Sequence, residues 1–198
     1  MSKLESELAA LLDNLTRRGT RLAIVGGLAV SARTEPRFTR DADVCVAVRD
    51  DRDAESLVRL LQADGYRVLG LLEQETTGRL ATVRLGSPEF GDESVVLDLL
   101  FASSGVEPEV VGSAEELELF EGSRAPVATV ASLIALKVLA RDDARRPQDR
   151  VDLAALLRVA SAADIAEATR LLGLIQDRGF GRGRELVSLL EGLRAELA

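Results

Sequence analysis

The sequence predicts an α/β (α+β) protein: a small mixed β-sheet core with flanking helices, followed by a C-terminal helical bundle. Three observations carry this reading. An apolar run over 22–25 ends in Gly26-Gly27 and passes into a helix-compatible segment, which is a strand–turn–helix. A second run alternates Asp41, Asp43, Cys45 and Ala47 with Ala42, Val44, Val46 and Val48, the two-residue period of a strand. Beyond Thr129 the pattern holds helical periods only. The core is placed at 1–125 and the helical region at 126–198.

The elements follow in order. Ser2-Lys-Leu-Glu5 is a capping box, and Leu4, Leu8, Leu11, Leu12 and Leu15 recur at helical spacing, so a helix runs to about residue 18 and stops at Gly19. A strand over 22–25 leads into Gly26-Gly27, where backbone can approach a ligand and helix amides can face an anion. A short helix to about residue 33 delivers the chain to the Asp41 strand. Residues 52–64 read as a helix, with Leu57, Leu60 and Leu61 apolar and Gly65 just beyond. Strands over 66–72 and 80–85, a turn over 86–91 and a strand over 94–101 come next. Residues 106–124 are acidic and hold a short helix or edge strand around 115–119. Helices over 130–140, 147–159, 162–178 and 182–197 complete the chain. Gly179-Phe-Gly181-Arg-Gly183 lacks a preceding strand and reads as a helix–helix turn, not a dinucleotide loop.

Composition excludes several function classes. With 46% hydrophobic and 29% charged residues the chain builds a core and is not disordered. At 3% aromatic and without Trp it offers no base-stacking platform. A net charge of −8 argues against coating nucleic acid or an anionic membrane over the whole surface. The absence of His removes Ser-His-Asp and Cys-His machinery and histidine-ligated zinc. One cysteine, Cys45, cannot form an internal disulfide, and its Val-Cys-Val setting makes it a buried, inert thiol. No signal-peptide core or apolar run of about 18–20 residues is present, so a cytoplasmic protein without a membrane partner is expected.

Asp41 and Asp43 project from one strand face whose opposite side is apolar. Asp98, in Val95-Val-Leu-Asp98-Leu-Leu-Phe101, has the apolar same-face neighbours Val96 and Leu100. Carboxylates there are costly unless a cation compensates them. The alternative for Asp41 and Asp43 is a strand-entry turn with solvated side chains. A second constellation is Lys137 in an apolar helix, then the basic connection over 141–146, then Asp149 and Asp152. Of 25 basic residues only Lys3 and Lys137 are lysine, so a chain that otherwise writes Arg keeps a compact ammonium in an apolar helix. The alternatives are a snorkelling lysine and two aspartates favouring a helix dipole behind Pro147. On the sequence alone, Lys137→Arg and Lys137→Met should both fold with nearly unchanged stability, while a phosphate contact by Lys137 would make both slow transfer.

Gly26-Gly27, Asp41-Ala-Asp43 and the later Asp98 together resemble the nucleotidyltransferase superfamily typified by DNA polymerase beta. The Ala-Leu-Lys137 helix, basic loop and Asp149-x-x-Asp152-Leu resemble its AbiEii-type branch, which includes toxin nucleotidyltransferases. The resemblance implies magnesium, two ions when a nucleoside triphosphate is bound, held by Asp41, Asp43 and Asp98. It assigns Lys137 to catalysis and the nucleotide, with Gly26, Gly27, Arg40 and Asp149 or Asp152 also at the nucleotide. A nucleoside monophosphate would pass to a hydroxyl of RNA or tRNA, a protein or a small molecule, with pyrophosphate released. An antitoxin protein is the implied partner. An aminoglycoside-type small-molecule nucleotidyltransferase and a catalytically silent binding module are the alternatives. If the acceptor is RNA, Arg33, Arg37 and Arg40 should border one cleft with Arg141, Arg145, Arg146 and Arg150.

Overall fold

The chain enters through α1 (Lys3–Arg17), where Ser2 Oγ accepts from the Glu5 amide and Glu5 accepts from the Ser2 amide, closing the expected capping box. The computed structural model describes every residue except Met1, Phe38, Arg40, Thr76, 89–94, Glu121, 143–146 and Ala198. After α1 come β1 (Leu22–Val25), α2 (Gly26–Arg33), β2 (Asp41–Val46), α3 (Asp51–Ala63), β3 (Arg67–Glu73), β4 (Leu80–Gly86) and β5 (Val96–Leu100). Then follow α4 (Glu107–Gly112), β6 (Glu115–Phe120), β7 (Ser123–Val127), α5 (Val130–Ala140), α6 (Pro147–Val159), α7 (Ala162–Asp177) and α8 (Leu186–Leu197).

The strands form one mixed sheet in the order β3-β4-β5-β2-β1-β7-β6. β2 lies between antiparallel β1 and parallel β5, so the aspartate strand is central. One face, with Ala42, Val44, Val46, Val83, Leu85, Leu97 and Leu99, is buried. Leu8, Leu11 and Leu15 of α1 and Leu57 and Leu61 of α3 join it in one core. Asn14 and Arg18 tie α1 to Asp64 at the end of α3. The opposite face carries Asp41, Asp43, Asp98 and Arg84 where β4, β5 and β2 meet.

The sheet edge differs from the sequence reading in two places. Residues 106–124 hold both a helix, α4, and a strand, β6. The unpredicted β7 then pairs antiparallel with β6 and parallel with β1, widening the sheet to seven strands. Pro126 removes a ladder donor from β7 and hides the strand signal. Arg33 closes this side: its guanidinium donates to the carbonyls of Val127 and Ala128 and pairs with Glu115.

In the helical part Thr129 caps α5 by accepting from the Ser132 amide, and seven of the residues of α5, from Ala131 to Leu139, are buried. α8 starts at Leu186 rather than 182, because Arg182 and Gly183 take left-handed φ values of 54 and 67°. One buried cluster extends from Leu8 to Leu193 and spans sheet and helices alike. Among the described residues no helix is long and apolar enough to cross a membrane.

Candidate active site

The site is built on strand register. β2 and β5 run parallel with Asp43 opposite Asp98, and β4 runs antiparallel to β5 with Arg84 opposite Asp98. Asp43, Asp98 and Arg84 therefore stand in a row across three strands, each about 4.7–4.9 Å from the next. Asp41 lies two residues back on the same face, exposed, opposite Val96. Asp98 is buried, at 8% exposure, and its compensating cation is Arg84. Arg84 Nε donates to Oδ1 at 2.9 Å and Nη2 to Oδ2 at 2.7 Å, a bidentate pair. The hydrogen bonds it donates to Asp98, and behind them the attraction of Asp98, Asp41 and Asp43, hold the Arg84 guanidinium above its ordinary pKa.

Gly26 and Gly27 are required first by neighbouring side chains. Gly26 has φ +66°, and a Cβ there would lie 1.8 Å from Asp43 Oδ2. A Cβ on Gly27 would lie 2.6 Å from Arg37 Nη2. The second glycine therefore leaves room for the Arg37 guanidinium. We expect Gly26→Ala to lose about 1–2 kcal/mol from left-handed strain alone, with more from displacing Asp43. Urea unfolding of the two proteins measures this.

Across the cleft, α5 and α6 form a buried charge cluster. Lys137 Nζ lies 2.7 Å from Asp149 Oδ1 and 2.8 Å from Asp152 Oδ2. Arg37 Nη2 reaches the same Asp152 oxygen at 2.8 Å, and Gln148 Nε2 donates to Oδ1 at 3.2 Å. Asp149 and Asp152 are 5% and 1% exposed. This corrects the expectation that Lys137→Met would be neutral for stability: Lys137 is the shared cation of two buried carboxylates, not a stem laid along an apolar edge. It also removes the dipole-only account of the two aspartates, since surface dipole partners stay in water. Burial pushes the Asp152 carboxyl up, but the hydrogen bond and charge of Lys137, with Arg37 and Gln148, carry it below its ordinary value. Asp149 Oδ2 is buried without a hydrogen-bond partner among the described residues.

Between the two groups lies a cleft of about 810 Å³. Gly26, Asp43 and Leu100 line it from the sheet, Lys137, Arg141 and Asp149 from the helices, and Arg182 and Arg184 from the turn between α7 and α8. The expected basic border is only partly present. Arg141 lines the cleft and Arg37 joins the Lys137 cluster, whereas Arg33 binds the β7 carbonyls and Arg150 pairs with Glu196 at 3.5 Å. Arg40, Arg145 and Arg146 lie outside the described residues.

Sequence reasoning missed three arginines. Arg84 pairs with Asp98, Arg182 points its exposed side chain at the cleft, and Arg184 closes the end of α5 by donating to the carbonyls of Leu139 and, at 3.0 Å, Arg141. The signal available for the last two was the Gly-Phe-Gly-Arg-Gly-Arg run, read only as a turn. Cys45 is buried with its thiol pKa raised by burial, then by Glu107.

A family model described as the nucleotidyl transferase AbiEii toxin of type IV toxin–antitoxin systems matches residues 10–197. The chain belongs to this family. It is accordingly a nucleotidyltransferase, and the match includes the C-terminal helices as far as residue 197. No curated protein sequence matches the chain. Among solved structures, an antigenic nucleotidyltransferase-like protein from Paracoccidioides brasiliensis shares the fold, with a TM-score of 0.58 and 15% identity over 96% of this chain and 92% of that one. The lincosamide antibiotic adenylyltransferase LnuA aligns at a TM-score of 0.48 with 15% identity, covering 79% of this chain and 98% of its own. The nucleotidyltransferase toxin MenT4 from Mycobacterium tuberculosis aligns at 0.41 with 16% identity, covering 98% and 92%.

The family implies a divalent metal, and the donor set suits one: Asp41, Asp43 and Asp98 offer only oxygen, as magnesium prefers. Among the described residues no three acidic or thiol side chains stand close enough together to hold a metal ion as they are. At Asp98 both carboxylate oxygens accept hydrogen bonds from Arg84. The carboxylates fit a cation, and a side chain supplies the charge.

Proposed function

We propose that this chain moves a nucleoside monophosphate from a nucleoside triphosphate to an acceptor hydroxyl, releasing pyrophosphate. The observation that carries the reading is the register of Asp43 beside Asp98 on one sheet face, with Asp43 next to Gly26 and across an approximately 810 Å³ cleft from Lys137 and Asp149. Asp41, Asp43 and Asp98 would hold magnesium, which when bound neutralises triphosphate charge and lowers the barrier at the α-phosphorus. The remaining roles belong to the chain. Asp98 is the carboxylate nearest to take the acceptor proton. No side chain caps α2 at Val25, so its first-turn amides are open to a phosphate. Lys137 is held by two carboxylates, which fixes its ammonium at the cleft wall beside the phosphates. Asp149 Oδ2, a buried acceptor without a partner among the described residues, accepts a hydroxyl or amino donor of the nucleotide.

The test is incubation with each labelled nucleoside triphosphate, magnesium and total RNA, total protein or small hydroxyl compounds, following where the label goes. Label transfer that Asp43→Asn abolishes supports the reading; none with any acceptor counts against it. The family's description extends the reading to a toxin restrained by an antitoxin protein. Growth arrest on expression in bacteria, absent with Asp43→Asn, is the expected result.

Arg182 supplies a second check on the cleft. A non-glycine residue at φ 54° is strained by about 1–2 kcal/mol, and its side chain lines the cleft. We expect Arg182→Gly to raise stability by up to about 1 kcal/mol while raising the KM for triphosphate or acceptor severalfold. Melting temperature and initial rates on the same preparations separate the two effects.

A further inference from the structure

We propose that Arg84 is a resident cation of the carboxylate site, which holds Asp98 until a divalent metal displaces it. The inference rests on the reading that Asp43 and Asp98 bind such a metal. A cross-strand ion pair between an arginine and an aspartate ordinarily adds little beyond local sheet stability. Here the position of the pair departs from that. Arg84, Asp98 and Asp43 occupy consecutive places across β4, β5 and β2, so the guanidinium borders the acidic row instead of an isolated partner. The other β4 residues on this face, Leu80, Thr82 and Gly86, carry no charge, which leaves Arg84 as the only cation that strand can offer.

The asymmetry of the pair gives it a direction of movement. The Asp98 side chain is 12% exposed and fixed in a buried strand, whereas that of Arg84 is 51% exposed on a long, flexible stem. Asp98 cannot follow a departing arginine, but Arg84 can swing into solvent without disturbing the sheet. Both Asp98 oxygens are engaged, at 2.9 and 2.7 Å, so a metal meets two hydrogen bonds and a positive charge on arrival. The attraction of Asp41 and Asp43 for the same guanidinium agrees with this geometry. Arg84 thus compensates Asp98 in the metal-free protein and competes with the metal for it. It acts on the reaction through Asp98 and is a positioning residue.

The test titrates Mn²⁺ alone, without nucleotide, into the parent, Arg84→Met, Arg84→Gln and Asp98→Asn, read by the free-ion electron paramagnetic resonance signal. Two Arg84 variants guard against one folding poorly, and circular dichroism checks each. Loss of a competing cation should tighten Mn²⁺ binding about tenfold in both, equivalent to about 1.4 kcal/mol, while Asp98→Asn weakens it. Unchanged or weaker binding in the Arg84 variants, with Asp98→Asn still weakened, overturns the role of Arg84 and leaves the metal reading standing. Binding that is absent throughout, or indifferent to Asp98→Asn, removes the metal reading and this inference with it.

Discussion

Lys137→Met is expected to destabilise the protein by about 3–5 kcal/mol, the cost of breaking a buried ion pair by removing one partner. Lys137 Nζ is shared by Asp149 and Asp152, which are 5% and 1% exposed. Methionine fills much of the lysine volume, so packing is nearly kept and the loss isolates the charge. Arg37 still reaches Asp152, but Asp149 is left with no cation among its described contacts. Lys137→Arg should also destabilise, by less, because a planar guanidinium does not fit between oxygens held 2.7 and 2.8 Å from one nitrogen.

The pH dependence has a definite sign. Although burial pushes it up, the Asp152 carboxyl lies below its ordinary pKa, through the hydrogen bond and charge of Lys137, with Arg37 and Gln148. The stability this contributes is present above the unfolded carboxylate pKa, roughly 4, and is lost as pH falls through the lower folded value. In Lys137→Met the buried Asp152 carboxyl takes up a proton more readily and needs no cation once neutral. The gap between parent and variant should therefore be widest near neutrality and narrow on acidification, as urea midpoints at several pH values will record. A gap independent of pH would mean that Lys137 serves packing alone.

What the sequence made legible was periodic or stereochemical. The capping box at Ser2, the strand–turn–helix at Gly26 and the alternation from Asp41 each state a local geometry, and each element forms where its pattern lies. β7 was hidden because Arg124 and Pro126 break the pattern that its pairing with β1 and β6 restores. Arg84 was illegible for another reason. Its meaning depends on facing Asp98 across β4 and β5, and register between strands is not written in either one. The Lys137 cluster was half legible: the rarity of lysine marked the position, while the two aspartates had a sufficient explanation as helix-start residues. Only the packing of α6 against α5 turns them inward. Arg182 and Arg184 lay within a glycine-rich turn whose place on the cleft follows from α7 and α8 folding back onto α5.

Asp43→Asn is expected to lower nucleotidyl transfer about a thousandfold or more, roughly 4 kcal/mol of transition-state stabilisation, with the fold intact. Among the three aspartates, Asp43 is the one in register with Asp98, beneath Gly26 and on the cleft lining. Asparagine matches its shape, so the space left by the absent Gly26 Cβ stays filled and the strand pairing with Val25 and Asp98 is unaffected. What goes is one negative charge on a face where Asp41, Asp43 and Asp98 repel one another. Stability should therefore stay level or rise, the reverse of the Lys137 variants. That opposition is diagnostic, because a residue kept for folding loses stability when replaced, while one kept for chemistry against its own electrostatics gains it. The measurement pairs single-turnover transfer rates with thermal melts for parent and variant. Retained transfer would show that Asp41 and Asp98 suffice and that the register with Asp98 has no catalytic role. Lost transfer together with a lower melting temperature would return Asp43 to the scaffold.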